Sequence, residues 1–197
     1  LVSKKDKILE ASLELFTKKG FTATTTKEIA LKSGVAEGLI FYYFKDKNEL
    51  LNYLIHEFSF IGSLQNEIKE LSKMEPYPAL IKFGQLYANF LLDHKNFLTF
   101  IWSPEIVQNT NVSKDIVDFI NAMGEQVSSL LIRASSCAVE KKTVETAASM
   151  FLSTILTHVL IEERKTDKMP IENNHYIEEV AMFILKGIQN PGAFVYL

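Results

Sequence analysis

Apolar side chains recur at three- and four-residue intervals along most of the chain, and no stretch alternates over the length of a strand. The first such run covers Ser3 to Lys19. Ile8, Ala11, Leu15 and Phe16 lie on one side of it, with lysines and glutamates between them. Gly20 stops this helix after Lys18 and Lys19, two cations suited to a helix C-terminus. Phe21 to Thr24 is a linker. Thr25 and Glu28 then form a T-x-x-E capping box, in which each side chain serves a backbone N–H of the other end of the turn. Ile29 and Ala30 give the second helix a small apolar face, Ser33-Gly34 ends it, and Val35 plugs the corner. Glu37 to Phe44 is a third helix, held by Leu39, Ile40 and Phe44. Asp46 and Glu49 form a further cap pair and open a long helix at Lys47.

The pattern continues to the end of the chain. The fourth helix runs from Lys47 to about Lys73, and Glu75-Pro76-Tyr77-Pro78 breaks it, because proline cannot continue a helix interior. Further helices are expected over about Ala79–Asp93, Lys95–Trp102, Val112–Glu140, Lys142 or Thr143 to Arg164, and Glu172–Gln189. Thr166 to Ile171 is a polar loop, and Ala193 to Leu197 an apolar tail. About nine helices and no strand make this an all-α protein. Its two expected domains are a helical head, residues 1–46, and a helical body, residues 47–197.

Composition narrows the class. Of 197 residues, 47% are apolar and 23% charged, a balance that supports a folded core. The one cysteine, Cys137, excludes an intrachain disulfide and suits a reducing cytosol. The opening LVSKKDK lacks the apolar core of a signal peptide. The most apolar stretch, Ala147 to Ile161, is interrupted by Ser149, Ser153, Thr154, Thr157 and His158. It is shorter than the roughly 18 apolar residues of a membrane span, so it is expected to be a buried helix. The expectation is a cytoplasmic protein with no membrane partner. Charge is uneven: residues 1–51 carry nine lysines against seven acidic side chains, while the remainder carries twelve basic against seventeen acidic. A mildly basic head on an acidic body fits nucleic-acid contact at one end.

A short helix, a glycine turn and a second short helix make the helix-turn-helix pattern, which places its second helix in a DNA major groove. The residues Ile8-Leu9-Glu10-Ala11, Leu15-Phe16, Gly20-Phe21, Thr24-Thr25, Glu28-Ile29-Ala30, Gly34-Val35, Gly38, Tyr43-Phe44-Lys45, Lys47 and Leu50-Leu51 carry a resemblance. Together they resemble the N-terminal domain of the TetR family of transcriptional repressors. The resemblance covers roughly the first quarter of the chain; the rest is similar only in length and helical character. It implies that Thr26 and Lys27 face the DNA backbone or groove edge. It also implies that Glu37, Gly38, Leu39 and Tyr42 lie on the groove side of the recognition helix, and that Tyr43, Lys45 and Lys47 grip phosphates. Thr25 and Ala36, at the two helix starts, complete the expected DNA-binding set. The chemistry agrees. Helix N-termini and lysines receive phosphate; a glutamate accepts from a cytosine amino group, and an apolar side chain touches a thymine methyl. The bland readings are that Tyr42 and Tyr43 pack and that Lys45 and Lys47 are solvated charges. The sequence departs from the family's commoner pattern in three ways. Ala36 stands where Ser or Thr usually caps, Leu39-Ile40-Phe41 is more apolar, and Glu37 brings a negative charge to the groove.

In the body, Phe83, Tyr87, Phe90, Phe97, Phe100, Trp102, Phe119, Met123 and Met150 can line an effector cavity, with Thr154 and His158 among its polar groups; ordinary core is the alternative. Gln85, Asn89, Asn121 and Glu125 are further polar candidates. A cavity containing Glu125 suits a lipophilic cation. An aliphatic one without a buried charge suits an acyl chain or a neutral aromatic molecule. The last two helices are apolar on more than one side. One side carries Val144, Ala148, Phe151, Ile155 and Val159 on the eighth, and Ile177, Val180, Ile184 and Ile188 on the ninth. Ala147, Met150, Thr154 and Ile161, with Tyr176 and Phe183, lie on others. This suits a homodimer joined through a four-helix bundle, or a helix buried within one chain.

Catalysis finds no pattern. His56, His94, His158 and His175 are scattered, and no metal spacing, phosphate loop or nucleophile elbow exists. His158 and Glu162 read as a satisfied i, i+4 pair. No catalytic residue, metal or cofactor is expected. The reading is a homodimeric repressor that binds a palindromic operator in double-stranded DNA and is released by a small, lipophilic effector. Two alternatives stand beside it: a DNA-binding regulator without a small-molecule inducer, and a helical carrier or enzyme with a degenerate DNA head.

Overall fold

The computed structural model describes residues 3–57, 65–108, 110–135, 139–162 and 173–189. Among them are eleven helices and no strand. These are α1 (Lys4–Lys19), α2 (Thr26–Ser33), α3 (Glu37–Tyr43), α4 (Lys47–Glu57), α5 (Gln65–Leu71), α6 (Pro76–Asp93), α7 (Lys95–Ile101), α8 (Pro104–Val107), α9 (Thr110–Ala134), α10 (Lys141–Glu162) and α11 (Asn173–Gln189). Cys137, the polar loop 166–171 and the tail 193–197 lie outside the described residues.

The all-α reading holds, with some bounds other than expected. Of the helix expected over Lys47–Lys73, α4 and α5 are described and 58–64 lie outside the described residues. The helix expected over about Val112–Glu140 runs Thr110–Ala134. Helix α6 opens at Pro76 rather than at Ala79. Both prolines fall in its first turn, where the N–H groups have no intrahelical partner to lose. Pro104 likewise starts a helix: it is the first residue of the one-turn α8, behind an extended Ser103.

The chain divides into two compact units. The first comprises Leu1–Gly62 with His94–Phe119, the second Ser63–Asp93 with Ile120–Leu197, and the division falls within α9. In the first unit Ile8, Phe16, Ile29, Ile40, Phe44, Leu50, Leu51, Phe97, Phe100 and Ile106 are buried. Phe16, near the end of α1, meets Phe21 edge-on at 5.2 Å and stacks on Phe100 of α7 at 5.4 Å between ring centroids. Ser3 and Asp6 cap α1 reciprocally, at 3.0 and 3.1 Å. Lys5 lies over the Tyr53 ring of α4 at 3.6 Å.

In the second unit α6, α10 and α11 pack on one another. Leu80, Phe83, Leu91, Val127, Leu131, Phe151, Ile155, Ile177 and Ala181 are buried. Arg133 of α9 donates to the carbonyls of Leu71 (3.3 Å) and Met74 (2.5 Å) at the end of α5. The apolar run expected to be too short for a span extends in both directions into the 22 residues of α10. By length and composition alone α10 can cross a membrane. Its buried face, Val144, Ala148, Phe151, Ile155 and Val159, is nevertheless a core face. The hydroxyls of Thr146, Ser149, Ser153 and Thr157 on the helix bond back to carbonyls four residues earlier. On α11 the buried residues are Ile177, Ala181, Leu185 and Ile188, with Val180 and Ile184 only half-buried.

Gly84 sits where α6 crosses its two neighbours. A Cβ there would stand 2.6 Å from Ile177 Cγ2, 3.0 Å from Phe151 Cζ and 3.2 Å from Ile155 Cδ1. Gly84→Ala is therefore expected to lower unfolding free energy by about 1–3 kcal/mol through overpacking, despite alanine's better helix propensity. Chemical denaturation of the two proteins side by side checks this, and an unchanged or raised midpoint contradicts it.

Candidate nucleic-acid interface

The helix-turn-helix is built from local backbone satisfaction. The Thr25 hydroxyl accepts the Glu28 N–H at 3.2 Å, and Glu28 Oε2 accepts the Thr25 N–H at 2.9 Å, so the expected capping box is present. At the other end of α2, Gly34 is left-handed (φ 68°, ψ 33°). The Val35 N–H reaches back to the Ala30 carbonyl at 3.1 Å, which closes the helix in the way a C-terminal glycine permits. Ala36 precedes α3 with extended backbone and supplies no side-chain cap. Asp46 Oδ1 accepts the Glu49 N–H at 2.8 Å, while Glu49 Oε2 accepts the N–H of Lys45 at 2.8 Å.

Helix α3 has one buried residue, Ile40, and Phe44 just beyond it is also in the core. These two fix its inner side. Ala36, Gly38, Tyr42, Tyr43 and Lys45 are exposed, and Glu37 and Leu39 half-buried. Tyr42 is 79% exposed, so it is not a packing residue of this chain; its ring meets Tyr43 edge-on at 5.3 Å. A Cβ on Gly38 would touch nothing within 4 Å. Thr25 and Lys27 are exposed and Thr26 half-buried. The Thr26 hydroxyl donates to Glu37 Oε1 at 2.6 Å, tying the first turn of α2 to that of α3. Phe41, 51% exposed, and Leu31, 84% exposed, are outward apolar residues that the sequence reading did not select. Their offset from Ile40 and Ile29 in the helical repeat was the available signal.

Lys47, expected at phosphate, is half-buried. Its Nζ donates to the carbonyls of Phe21 and Thr24, each at 2.8 Å, and of Thr22 at 3.3 Å, and lies 4.4 Å over the Phe21 ring. Burial lowers its pKa; the nearby Glu105 carboxylate works in the opposite direction. Glu105 on α8 is a residue sequence reasoning missed. Its Oε2 accepts the Phe21 N–H at 2.8 Å and its Oε1 the Thr22 N–H at 2.6 Å. Burial works to raise its pKa, but the Thr22 hydroxyl, these two N–H groups and Lys47 outweigh it, so the carboxyl titrates below the ordinary range. Other head lysines are also tied. Lys19 pairs with Glu28, and Glu14 holds Lys32 at 2.8 Å and Lys18 at 3.1 Å. Lys27 and Lys45 are exposed at the start of α2 and just past α3.

The residues expected around an effector are divided between the two units. Phe97 and Phe100 are buried in the first, Phe100 against Phe16, and Trp102 there is 55% exposed. Phe83, Tyr87, Phe90 and Met123 are buried in the second. Met150 is 57% exposed, on the outer side of α10. Thr154 and His158 are half-buried, and the His158 ring stacks on Tyr176 of α11 at 3.7 Å. Phe119 lies on α9, but its side chain is outside the described residues. Trp102 thus belongs to the first unit and Met150 to the second, and helical spacing marks an apolar side without naming its partner. Asn89, Asn121 and Glu125 are exposed and Gln85 half-buried. Burial pushes the Tyr87 phenol well above its ordinary pKa, which keeps it neutral. Among the described residues, the buried aliphatic hydroxyls are those of Ser12 and Thr24, both in the first unit. A cleft of about 330 Å³ in the second unit is lined by Leu71, Met74 and Leu86, with Glu67, Glu70 and Lys82 around them. No group of three or more metal-ligating side chains occurs among the described residues.

Residues 8–54 match the family described as bacterial regulatory proteins, tetR family. Over 191 residues the chain is 28% identical to the HTH-type transcriptional regulator YvkB of Bacillus subtilis (strain 168), covering 92% of this chain and 95% of that one. It is 25% identical to the fatty acid metabolism regulator protein of the same organism, covering 93% and 94%. Its fold is similar to that of the transcriptional regulator FadR from Bacillus subtilis in complex with stearoyl-CoA. The TM-score is 0.71 at 20% identity, over 92% of this chain and 98% of that one.

The acid response of the head follows from its carboxylates. Lys19 first, then the Thr25 N–H and hydroxyl, hold Glu28 down to about 2; Lys32 and then Lys18 lower Glu14. Groups with depressed folded pKa values contribute stability above their unfolded values and lose it as pH falls toward the folded ones. The melting temperature is thus expected to be flat above about pH 5 and to fall between about pH 5 and pH 2. In Glu28→Gln that fall is shallower. Thermal melts across a pH series decide, and parallel acid slopes for the two proteins contradict the assignment.

Proposed function

Since the chain is a TetR-family transcriptional regulator, we propose that it acts as a homodimeric repressor on a palindromic operator and is released by an effector that carries an acyl chain or another uncharged lipophilic group. The observation that carries the DNA half is the outer side of α3. Ile40 and Phe44 hold the helix from behind, while Gly38, Tyr42 and Tyr43 face outward with no packing role that requires them. The absent Cβ at Gly38 leaves room for close approach of a base or phosphate. Leu39 and Tyr42 face the groove, and Glu37 accepts from a cytosine amino group once Thr26 yields its hydroxyl. Thr25, Thr26, the unobstructed N-terminus of α3 after Ala36, Tyr43, Lys27 and Lys45 meet phosphates. Lys47 acts from behind, through the loop it holds.

The effector reading is supported by the charge pattern of the second unit. No charged side chain is buried there among the described residues, and Glu125, the counter-ion a lipophilic cation would need, is exposed. The likeness to a fatty acid metabolism regulator agrees with an acyl chain. Association is supported by Met150, Leu160 and Ile161 on α10 and Phe183 on α11, each more than 40% exposed on helices whose other faces are already covered. A second copy covers them in a four-helix bundle across a two-fold axis. On this reading the protein works in the cytoplasm, where a bacterial operator lies.

The test is binding to the DNA upstream of its own gene against a scrambled duplex, across a salt series. Sequence-dependent binding at about 10⁻⁸ M or tighter, weakening steeply with salt, is expected. Tyr42→Ala is expected to erase the preference for the operator. Lys45→Ala is expected to weaken both duplexes and to reduce the salt slope by about 1. Stearoyl-CoA is expected to weaken operator binding by about 5–150-fold, and a quaternary ammonium amphiphile to leave it unchanged. Release by the cation and not by the acyl compound contradicts the effector reading; equal affinity for both duplexes contradicts the operator reading.

A further inference from the structure

The loop between α1 and α2 is held on both its polar sides. The carboxylate of Glu105 gathers the N–H groups of Phe21 and Thr22, at 2.8 and 2.6 Å. The ammonium of Lys47 gathers the carbonyls of Phe21 and Thr24 at 2.8 Å and of Thr22 at 3.3 Å. Five short backbone contacts thus run to two side chains of opposite charge, and charge-assisted hydrogen bonds of this kind are the stronger class. Gly20 accommodates the arrangement. It has φ +90°, and a Cβ there would come within 2.7 Å of Glu105 Oε2. Helix α8, which carries Glu105, is seated by Ile106, fully buried in the same unit. One residue past the held loop, Thr25 caps α2, and α2 is tied to α3 through Thr26 and Glu37. Polar contacts joined by a few residues of backbone therefore run from α8 to the first turn of the recognition helix.

We infer that Glu105 is a positioning residue for DNA binding: through the loop it fixes the angle at which α2 and α3 are presented, and it makes α8 the element by which residues 94–119 act on the recognition helix. The inference rests on the reading of the protein as a two-headed operator binder. A dimer engages a palindrome only if both recognition helices fit together. A head that has lost its set angle still binds one half-site and no longer matches two. The signature is a loss confined to the full operator.

Two variants test it. Glu105→Gln keeps the size but replaces one acceptor with an NH₂ group that faces a backbone N–H; Glu105→Ala removes both acceptors. Affinity is measured on the full operator, on a single half-site and on a scrambled duplex, with amide hydrogen exchange recorded at Phe21 and Thr22. In both variants full-operator affinity is expected to fall about tenfold or more, with half-site affinity unchanged. The Phe21 and Thr22 amides are expected to exchange faster while α1 keeps its protection. Equal losses on full and half-sites mean a damaged head and overturn the inference. So does unchanged full-operator affinity, or unchanged exchange at the two amides. A wild-type protein that does not prefer the operator to the scrambled duplex fails the functional reading first, and the inference with it. If instead wild-type preference is intact and survives in both variants, the inference alone fails.

Discussion

Phe16 is the residue around which the head closes. It lies between Phe21, just past the end of its own helix, and Phe100 on α7, and is almost fully buried. Burying an aromatic side chain of this size contributes roughly 1.5–3 kcal/mol, and the preferred edge and offset geometries add to that. The stack has a topological effect. It brings residues from the middle of the chain into the compact unit that carries the helix-turn-helix. Phe97, Phe100 and Ile106 are as much a part of that core as Ile29 or Ile40. The position of α8, and with it the placement of Glu105 against the loop, follows from this packing.

The charges of the head are arranged chiefly to hold its backbone and helices in place. Of the nine lysines in residues 1–51, Lys5 lies over Tyr53, Lys18, Lys19 and Lys32 are paired with glutamates, and Lys47 is bound to loop carbonyls. The exposed ion pairs add little stability individually, but Lys19–Glu28 and Lys32–Glu14 join α1 to α2, and together the pairs leave few cations for long-range attraction of DNA. In the proposed complex, positioning by hydroxyls, helix ends and aromatic rings carries more of the recognition than bulk charge does. The small positive surplus of this segment is consistent with that division.

What the sequence made legible was local. The Thr25–Glu28 box, the left-handed stop at Gly34 and the inward pair Ile40 and Phe44 all rest on spacings of a few residues, and the structure has each of them. The Asp46–Glu49 cap was read at the right place, although Glu49 reaches Lys45 instead of its own cap residue. Proline stops a helix from within, which makes Pro76 an expected break, yet Pro76 and Pro104 both stand in a first turn, where the same ring favours a start. Long-range pairings had no such signal. Nothing around Glu105 in sequence points to Phe21 and Thr22, and nothing in the periodicity of α7 separates a partner on α1 from one in the body. The aromatic residues of the body were therefore grouped by kind, while the fold sorts them by unit.

Helix α3 has seven residues, and one of them, Ile40, is buried. Four more, Gly38, Phe41, Tyr42 and Tyr43, are exposed and meet no requirement of the core. On the proposed reading, descendants of this chain can exchange these exposed residues with little effect on folding, and each exchange alters which DNA is preferred. Drift in target sequence is then almost independent of drift in stability. A lineage that duplicates this gene can retarget one copy through a handful of substitutions, with the remainder of the protein inherited as it stands.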